Sequence, residues 1–439
     1  MARLRRNPSL HRSYSSYRSH SLAPAAALLL ALLCSRVFAF ELWSDEQGRE
    51  ASLAVTGKVT SLTSDQPDDP LLFPERWSRT TLARLRFGLD IRCSDSMELQ
   101  LAYEQRARWL SGGGTGLAAT GAFLPSTAKA PFRIEQLDWE IAADDDFAYR
   151  HEIDRAFVAL HPAWGEVTVG RQAIGMGRGV IFSAVDLFAP FSPLEVDREW
   201  RRGVDAFRAE YQLTATSSAE LIGVFGNSWG QSAVLGRLRG YVGDVDGSLI
   251  LGKYTEDFLI GTVVSATVGD AEVHGELALF DTPDARPDGT LWLGDDVVTK
   301  AVLGSSYTFN IGNGLTALAE YHYSGFGVKD ISDALVRLQD PDFLRRFLRG
   351  NTQILGRQAL AGQLSYPFNN AITGTFLVLG SPTDGSGVLA PSLRLDLQDN
   401  VTLTGSCFVP WGREPKAGQL RSEYGATPAS LFLQASIYY

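Results

Sequence analysis

The feature that most constrains this chain is a two-residue alternation of apolar and polar side chains that recurs along its length. Leu85, Phe87, Leu89 and Ile91 alternate with Arg84, Arg86, Gly88, Asp90 and Arg92. After a Cys-Ser-Asp-Ser turn, Met97, Leu99, Leu101 and Tyr103 alternate with Glu98, Gln100, Ala102 and Glu104. Later, Val273, Gly275, Leu277 and Leu279 alternate with Glu272, His274, Glu276 and Ala278. Leu315 through Tyr323 do the same against Thr316, Leu318, Glu320 and His322. Side chains of a strand point alternately to its two faces, so each segment reads as a strand with one apolar and one polar face.

A soluble sandwich shows the same alternation; the connectors separate the two cases. Tight turns rich in Gly, Asn, Asp, Ser and Pro fall at 93–96, 161–166, 214–218, 243–247, 268–271, 310–314, 366–371 and 397–400. Between them lie long connections at 63–80, 110–150, 172–203, 281–298, 324–355 and 411–427. Tight turns at one end and extended loops at the other are the habit of an outer-membrane β-barrel, apolar outside and polar within. Nine up-down pairs predict an all-β, transmembrane antiparallel barrel of about 18 strands. Sixteen is the alternative, because the segments near 218–268 are short and weakly patterned.

Both ends of the chain agree with export to a membrane. Residues 1–39 carry six Arg and no acid, with an apolar core at Ala25–Leu33 and Val37-Phe38-Ala39 at the usual cleavage spacing, which predicts a signal peptide. That core is too short to span a bilayer as a helix. A short periplasmic segment, 40–50, then leads into a barrel over 51–439. At the other end Leu431, Leu433, Ala435, Ile437 and Tyr439 share one face. This resembles the C-terminal signature of Gram-negative outer-membrane proteins, which implies the barrel-assembly machinery, membrane lipid and lipopolysaccharide as partners. A homo-oligomer is open.

Beyond residue 39 the charge balance is 34 basic against 50 acidic residues. Phosphate binding needs a concentrated basic surface, so a nucleic-acid partner is excluded. Three cysteines exclude a disulfide scaffold and a Cys-based zinc site, and no ligand-spaced His cluster or Gly-x-Ser-x-Gly elbow is present. Neither cofactor, metal nor enzymatic chemistry is expected. Cys93 and Cys407, on strands 2 and 17 of the 18-strand register, are expected as free, lipid-facing thiols.

The stretch Val167–Leu213 is expected to organise function. A strand enters a Gly-, Pro- and aromatic-rich segment and a second strand, with Phe207, Ala209, Tyr211 and Leu213 alternating, leaves it. Structureless connections of that length are uncommon unless functional. Loop 175–202, folded inward, would narrow the lumen with Arg178, Asp186, Glu195, Asp197, Arg198, Glu199, Arg201 and Arg202, whose mixed charges select solutes. The alternative is that these charges pair to keep the loop folded. The strings Gly170-Arg171-Gln172, Asp186–Phe191 and Asp197–Asp205 resemble the corresponding loop of porin-like barrels grouped with the alginate-export type. The resemblance implies an arginine-rich channel for a polyanion.

The expected lumen wall comprises Arg84, Arg86, Arg92, Glu98, Glu104, Arg208, Glu210, His274, Glu276, Glu320 and His322, with Arg155 beside them. Residues 340–350 predict a short external helix, capped by Asp340 and ended by Gly350. Its Phe343, Leu344, Phe347 and Leu348 face is expected to pack on the rim. Passive diffusion of small hydrophilic solutes is the expected function, with selective transport of an acidic oligosaccharide or small organic acid as the alternative; the missing nucleophile signature argues against a barrel hydrolase, and a plugged pore would favour a structural barrel.

Overall fold

The computed structural model describes residues 40–111, 123–124, 129–283 and 296–439. Among the described residues, eighteen antiparallel strands pair in sequence order. They are Glu50–Asp65 (β1), Trp77–Ser94 (β2), Met97–Ser111 (β3), Phe147–Leu160 (β4), Gly165–Gln172 (β5) and Val204–Thr214 (β6). Ser217–Val224 (β7), Ala233–Val242 (β8), Val245–Tyr254 (β9), Asp257–Val268 (β10), Ala271–Asp281 (β11) and Val297–Phe309 (β12) follow. Leu315–Ser324 (β13), Gln358–Asn369 (β14), Ile372–Gly380 (β15), Gly387–Gln398 (β16), Val401–Trp411 (β17) and Ala429–Tyr438 (β18) complete the wall. β18 pairs with β1 from Thr56↔Tyr438 to Asp65↔Ala429. Beyond that ladder Val55 and Tyr439 exchange both backbone hydrogen bonds, at 2.7 and 2.8 Å. Closure removes both sheet edges, the condition for a β-sheet in hydrocarbon.

The tight turns fall where the Gly/Asn/Asp/Ser/Pro clusters place them, and the long loops lie at the opposite end. Two further strands flank the wall. Phe40–Ser44 folds back on the start of β1, Phe40 opposite Leu53. Asp138–Ala143 runs beside β4, Asp138 opposite Glu152, above the end of the short β5. Outward-facing Leu221, Leu249, Leu251, Ile260, Leu303, Leu360 and Leu433 form an exposed apolar band. Aromatic side chains bracket it: Trp77, Trp229 and Trp411 at the long-loop end, Trp164, Tyr211, Phe309 and Phe368 at the turn end. Such girdles mark the two interfaces of a bilayer. No helix among the described residues is long and apolar enough to cross a membrane.

Cys93 and Cys407 are free, on β2 and β17 as the register predicts. The external helix spans Pro341–Arg349, its Asp340 accepting from Asp342 N and its Gly350 left-handed at φ 81°. Phe343 of the expected face packs against the cluster of Val328, Ile331, Ala334 and Leu420, and two arginines of the helix are seated on the wall as well. Arg346 is buried in a two-pronged pair with Asp257 at 2.7 and 2.9 Å and also reaches Thr282. Arg349 pairs with Glu256 at 2.9 Å. Leu344 and Leu348 are left 38% and 55% exposed. The reason is local charge: the wall presents two carboxylates here, and arginines answer them better than leucines would.

Candidate functional site

Residues 173–203, between β5 and β6, fold into the barrel and touch walls on both sides of it. On one side the anchors are two wall carboxylates. Glu276 of β11 accepts from Arg178 N, Gly179 N, Ser183 Oγ, Ala184 N and Val185 N, at 2.5 to 3.3 Å. Glu320 of β13 accepts from Val180 N, Ile181 N and Phe182 N, at 2.6 to 3.0 Å, and meets His274 Nε2 at 3.1 Å. Bonds to an ionised acceptor are roughly twice as strong as neutral ones, so a loop without regular structure is held as firmly as a strand. The approach needs glycine: a Cβ on Gly177 would lie 2.3 Å from Ser183 Oγ, and one on Gly179 1.9 Å from Phe182 O.

Opposite, Lys58 of β1 binds Asp197 at 2.7 Å and Glu199 at 2.6 Å, and Arg84 of β2 reaches Asp197 at 3.2 Å. Tyr438 Oη of β18 donates to Glu199 at 2.9 Å. The Trp200 ring lies between, with the Lys58 ammonium 4.1 Å and the Arg84 and Arg86 guanidinium carbons 5.1 and 4.9 Å from its centroid, a cation–π stack. Wall pairs continue the lattice: Arg84–Glu104, Arg86–Asp154, Arg106–Glu152 and Arg133–Glu152.

Between its anchors the loop builds an apolar core against β8–β13. Phe182, Ala184, Val185 and Phe188 pack with Leu235, Ile250, Leu259 and Phe280 in one cluster. Phe182 stacks on His322 with centroids 4.9 Å apart, and Tyr254 Oη donates to Leu187 O at 3.1 Å. One side of the lumen is therefore filled, while charge gathers along β1–β4.

The expected constriction residues divide by what they touch. Arg201–Asp186 (2.6 Å) closes the loop on itself, with Asp186 also accepting from Met176 N and Gly177 N. Arg198 donates to four backbone carbonyls, those of Val180, Ser192, Pro193 and Glu195. Glu195 accepts from Ser192 N, and burial pushes its carboxyl up to about 7. Arg178 reaches Asp246 of β9, near a tight turn, and Arg202 lies 3.8 Å from Glu152. Asp197 and Glu199 face the wall cations already described.

Of the expected wall, Arg84 and Arg86 meet the loop, Glu104 pairs with both of them, and Arg155 donates to Asp154 and to Arg201 O. Glu276, Glu320, His274 and His322 point inward as alternation requires but do not face open lumen; each is at most 3% exposed, because the loop lies on them. Arg92 and Glu98 pair with each other at 3.4 Å at the turn end, away from the loop. Arg208 pairs with Glu220, and Glu210 stays partly buried on the same strand. Sequence reasoning passed over Lys58, Glu152, Asp154 and Trp200. The first three lie at inward positions of their strands, and Trp200 sits inside the acidic-basic run, so alternation carried that signal. Arg133, in a long loop, carried none.

Above the loop, at the long-loop end, lies a cavity of about 680 Å³. Its floor is Arg84, Arg86, Arg106, Trp200 and Arg202 with Glu104, Glu152 and Asp154; its sides are largely apolar.

No family model and no curated protein matches the chain. The likeness of 170–205 to alginate-export-type barrels rests on those strings alone. Solved structures do match. Acinetobacter baumannii OccAB4 superposes with a TM-score of 0.52 at 10% identity, over 89% of this chain and 98% of that one. The chain has the porin fold. Pseudomonas aeruginosa OccD3 (TM-score 0.49, 9% identity, 91% and 93% covered) is also similar. So is Salmonella typhi OmpF in complex with daunomycin (0.47, 10%, 91% and 100%). At these identities the likeness is one of fold. Among the described residues no group of His, Cys, Asp and Glu could hold a metal ion.

Proposed function

We propose that this porin-fold chain is an outer-membrane channel through which small hydrophilic solutes diffuse passively, narrowed by loop 175–202. The observation that carries this reading is the double anchoring of the loop, to Glu276 and Glu320 on one wall and to Lys58, Arg84 and Tyr438 on the other. A segment held across a barrel at both sides narrows the lumen and lines what remains of it with the loop's own charges. Residues 1–39 serve as the signal peptide and 40–50 as the periplasmic lead-in. Lipopolysaccharide meets the long-loop end, and the assembly machinery reads the strand ending at Tyr439.

The test is single-channel conductance in a planar bilayer under a salt gradient, comparing wild type with a chain lacking Arg178–Arg198. Open wild-type steps that grow on deletion are expected, with the reversal potential giving the ion preference. Absence of current before and after deletion would sink the channel reading. The second reading, a selective path for a small organic acid, draws on the guanidiniums of Arg84, Arg86, Arg106 and Arg202 at the cavity floor. A reversal potential of anion sign favours it.

A further inference from the structure

We infer that the 680 Å³ cavity above the inner loop is a binding site for an uncharged amphipathic molecule, with an apolar body and a hydrogen-bonding oxygen at one end. This goes beyond the channel reading by naming a solute that the outer chamber retains, and it rests on that reading for the route through the barrel.

The first observation is how the chamber's charges are spent. At its floor Arg84 faces Glu104 and Asp197, Arg86 faces Glu104 and Asp154, and Arg106 and Arg202 face Glu152. At its sides Arg349 pairs with Glu256, Glu195 accepts from Ser192 N, and Glu423 accepts from Leu355 N and Gly356 N. What remains among the charged lining is Lys129, exposed at the margin, where salt and water screen it. An ion resting at the floor would either displace one of these partners or lie beside a carboxylate that shares its guanidinium. Breaking a buried pair strands the other charge, so both courses are costly.

The second observation is what the chamber offers instead. Helix 341–349 is seated by Phe343 on the Val328 cluster and by Arg346 and Arg349 on the wall, so Leu344, Phe347 and Leu348 are left to line the cavity. Leu72, Phe191 and Leu420 continue that surface from three other loops. A concave, largely apolar chamber with a few placed polar groups is the usual form of a small-molecule site. The polar groups are present. Arg86 spends Nη1 on its carboxylates and Arg106 spends Nε and Nη2, which leaves N–H groups of both without a partner among the described residues. The hydroxyl of Tyr424, a buried residue of the chamber's side, also lacks one. A neutral oxygen answers such groups without disturbing any pair, and left unanswered they are costly. An organic acid drawn through the barrel would pass this chamber rather than rest in it.

The experiment is isothermal titration of the full chain in lipid nanodiscs with three ligands of one ring system, each corrected for empty nanodiscs. They are naphthol, uncharged at neutral pH, naphthoate and naphthylmethylammonium. Naphthol is expected to bind at least about tenfold tighter than either ion, because an unpaired charge is expensive to take from water. Leu344→Ser/Leu348→Ser should weaken naphthol by about tenfold or more through lost apolar contact, with circular dichroism confirming the barrel. Glu104→Gln removes a carboxylate shared by Arg84 and Arg86 and should raise naphthoate affinity at least about tenfold. Either ion binding as tightly as naphthol to the wild type would overturn the inference. So would naphthol heat equal to that of empty nanodiscs, a folded serine variant that binds as wild type, or a folded Glu104→Gln barrel with no gain for naphthoate. Conductance of the same preparation separates the two readings. Current without naphthol binding defeats this site alone, whereas naphthol binding without current defeats the channel and leaves the site standing.

Discussion

Replacing Glu276 by Gln asks whether the inner loop is held by its anchors or merely fills space. The wild-type carboxylate accepts five bonds, two from Arg178 and Gly179 on one oxygen and three from Ser183, Ala184 and Val185 on the other. Gln keeps the shape but offers one acceptor oxygen; its amide nitrogen is itself a donor. Whichever way the amide turns, two backbone N–H groups then face a donor, part-buried ones at Arg178 and Gly179 or buried ones at Ala184 and Val185. Each unpaired buried group costs about 1–3 kcal/mol, and the surviving bonds drop from charge-assisted to neutral strength. Docking should weaken by about 4 kcal/mol, close to a thousandfold in the ratio of seated to released loop. The strand ladders are untouched, so the barrel should persist. Trypsin is the probe, since Arg178, Arg198, Arg201 and Arg202 all lie in the loop. Cleavage within 178–202 should rise at least about a hundredfold while circular dichroism stays that of the closed barrel. Cleavage at the wild-type rate in a folded Glu276→Gln barrel would refute the anchoring argument.

The external loops should respond to pH through Glu423, which accepts from Leu355 N and Gly356 N at 2.8 and 2.6 Å and is pushed by burial from 4.5 up to about 7. An acid whose pKa is raised in the folded state stabilises it fully below about 4.5 and loses that contribution as pH rises through about 7. Amides 355 and 356, corrected for intrinsic exchange, should therefore exchange more slowly at pH 5 than at pH 8, and Glu423→Gln should flatten the difference. Arg346→Ala leaves Asp257 buried without its two-pronged partner. It should loosen the seat of helix 341–349 by about 3–5 kcal/mol, read as faster hydrogen exchange of that helix; unchanged protection would show the pair to be dispensable. Cys407 is exposed on the outward face of β17. It should react with a lipid-soluble maleimide and resist a charged one in membranes, and oxidants should not join it to Cys93.

Why some of this was legible and some was not follows from what alternation encodes. Parity tells inside from outside, so β2, β3, β11 and β13 could be drawn from sequence, and with them the inward position of Glu276 and Glu320. Parity does not tell how far the inside is filled. Glu276 reads as a wall charge in water, yet it is capped by residues more than ninety positions away. Nothing local to β11 records that partner. The weak patterning near 218–268, which left the strand number open between 16 and 18, has the same origin. In β9, Leu249 and Leu251 face outward while Ile250 between them is fully buried beneath the loop. Leu235, Leu259 and Val263 are likewise apolar and buried at inward positions. Strands covered on both faces read as continuous apolar runs. The break in alternation is therefore a signal: it marks the arc of wall, β8 to β10, against which the inner loop must lie. Read that way, the sequence places the filled side of the lumen opposite the charged strands β1–β4, where the loop's other margin is held by Lys58 and Arg84.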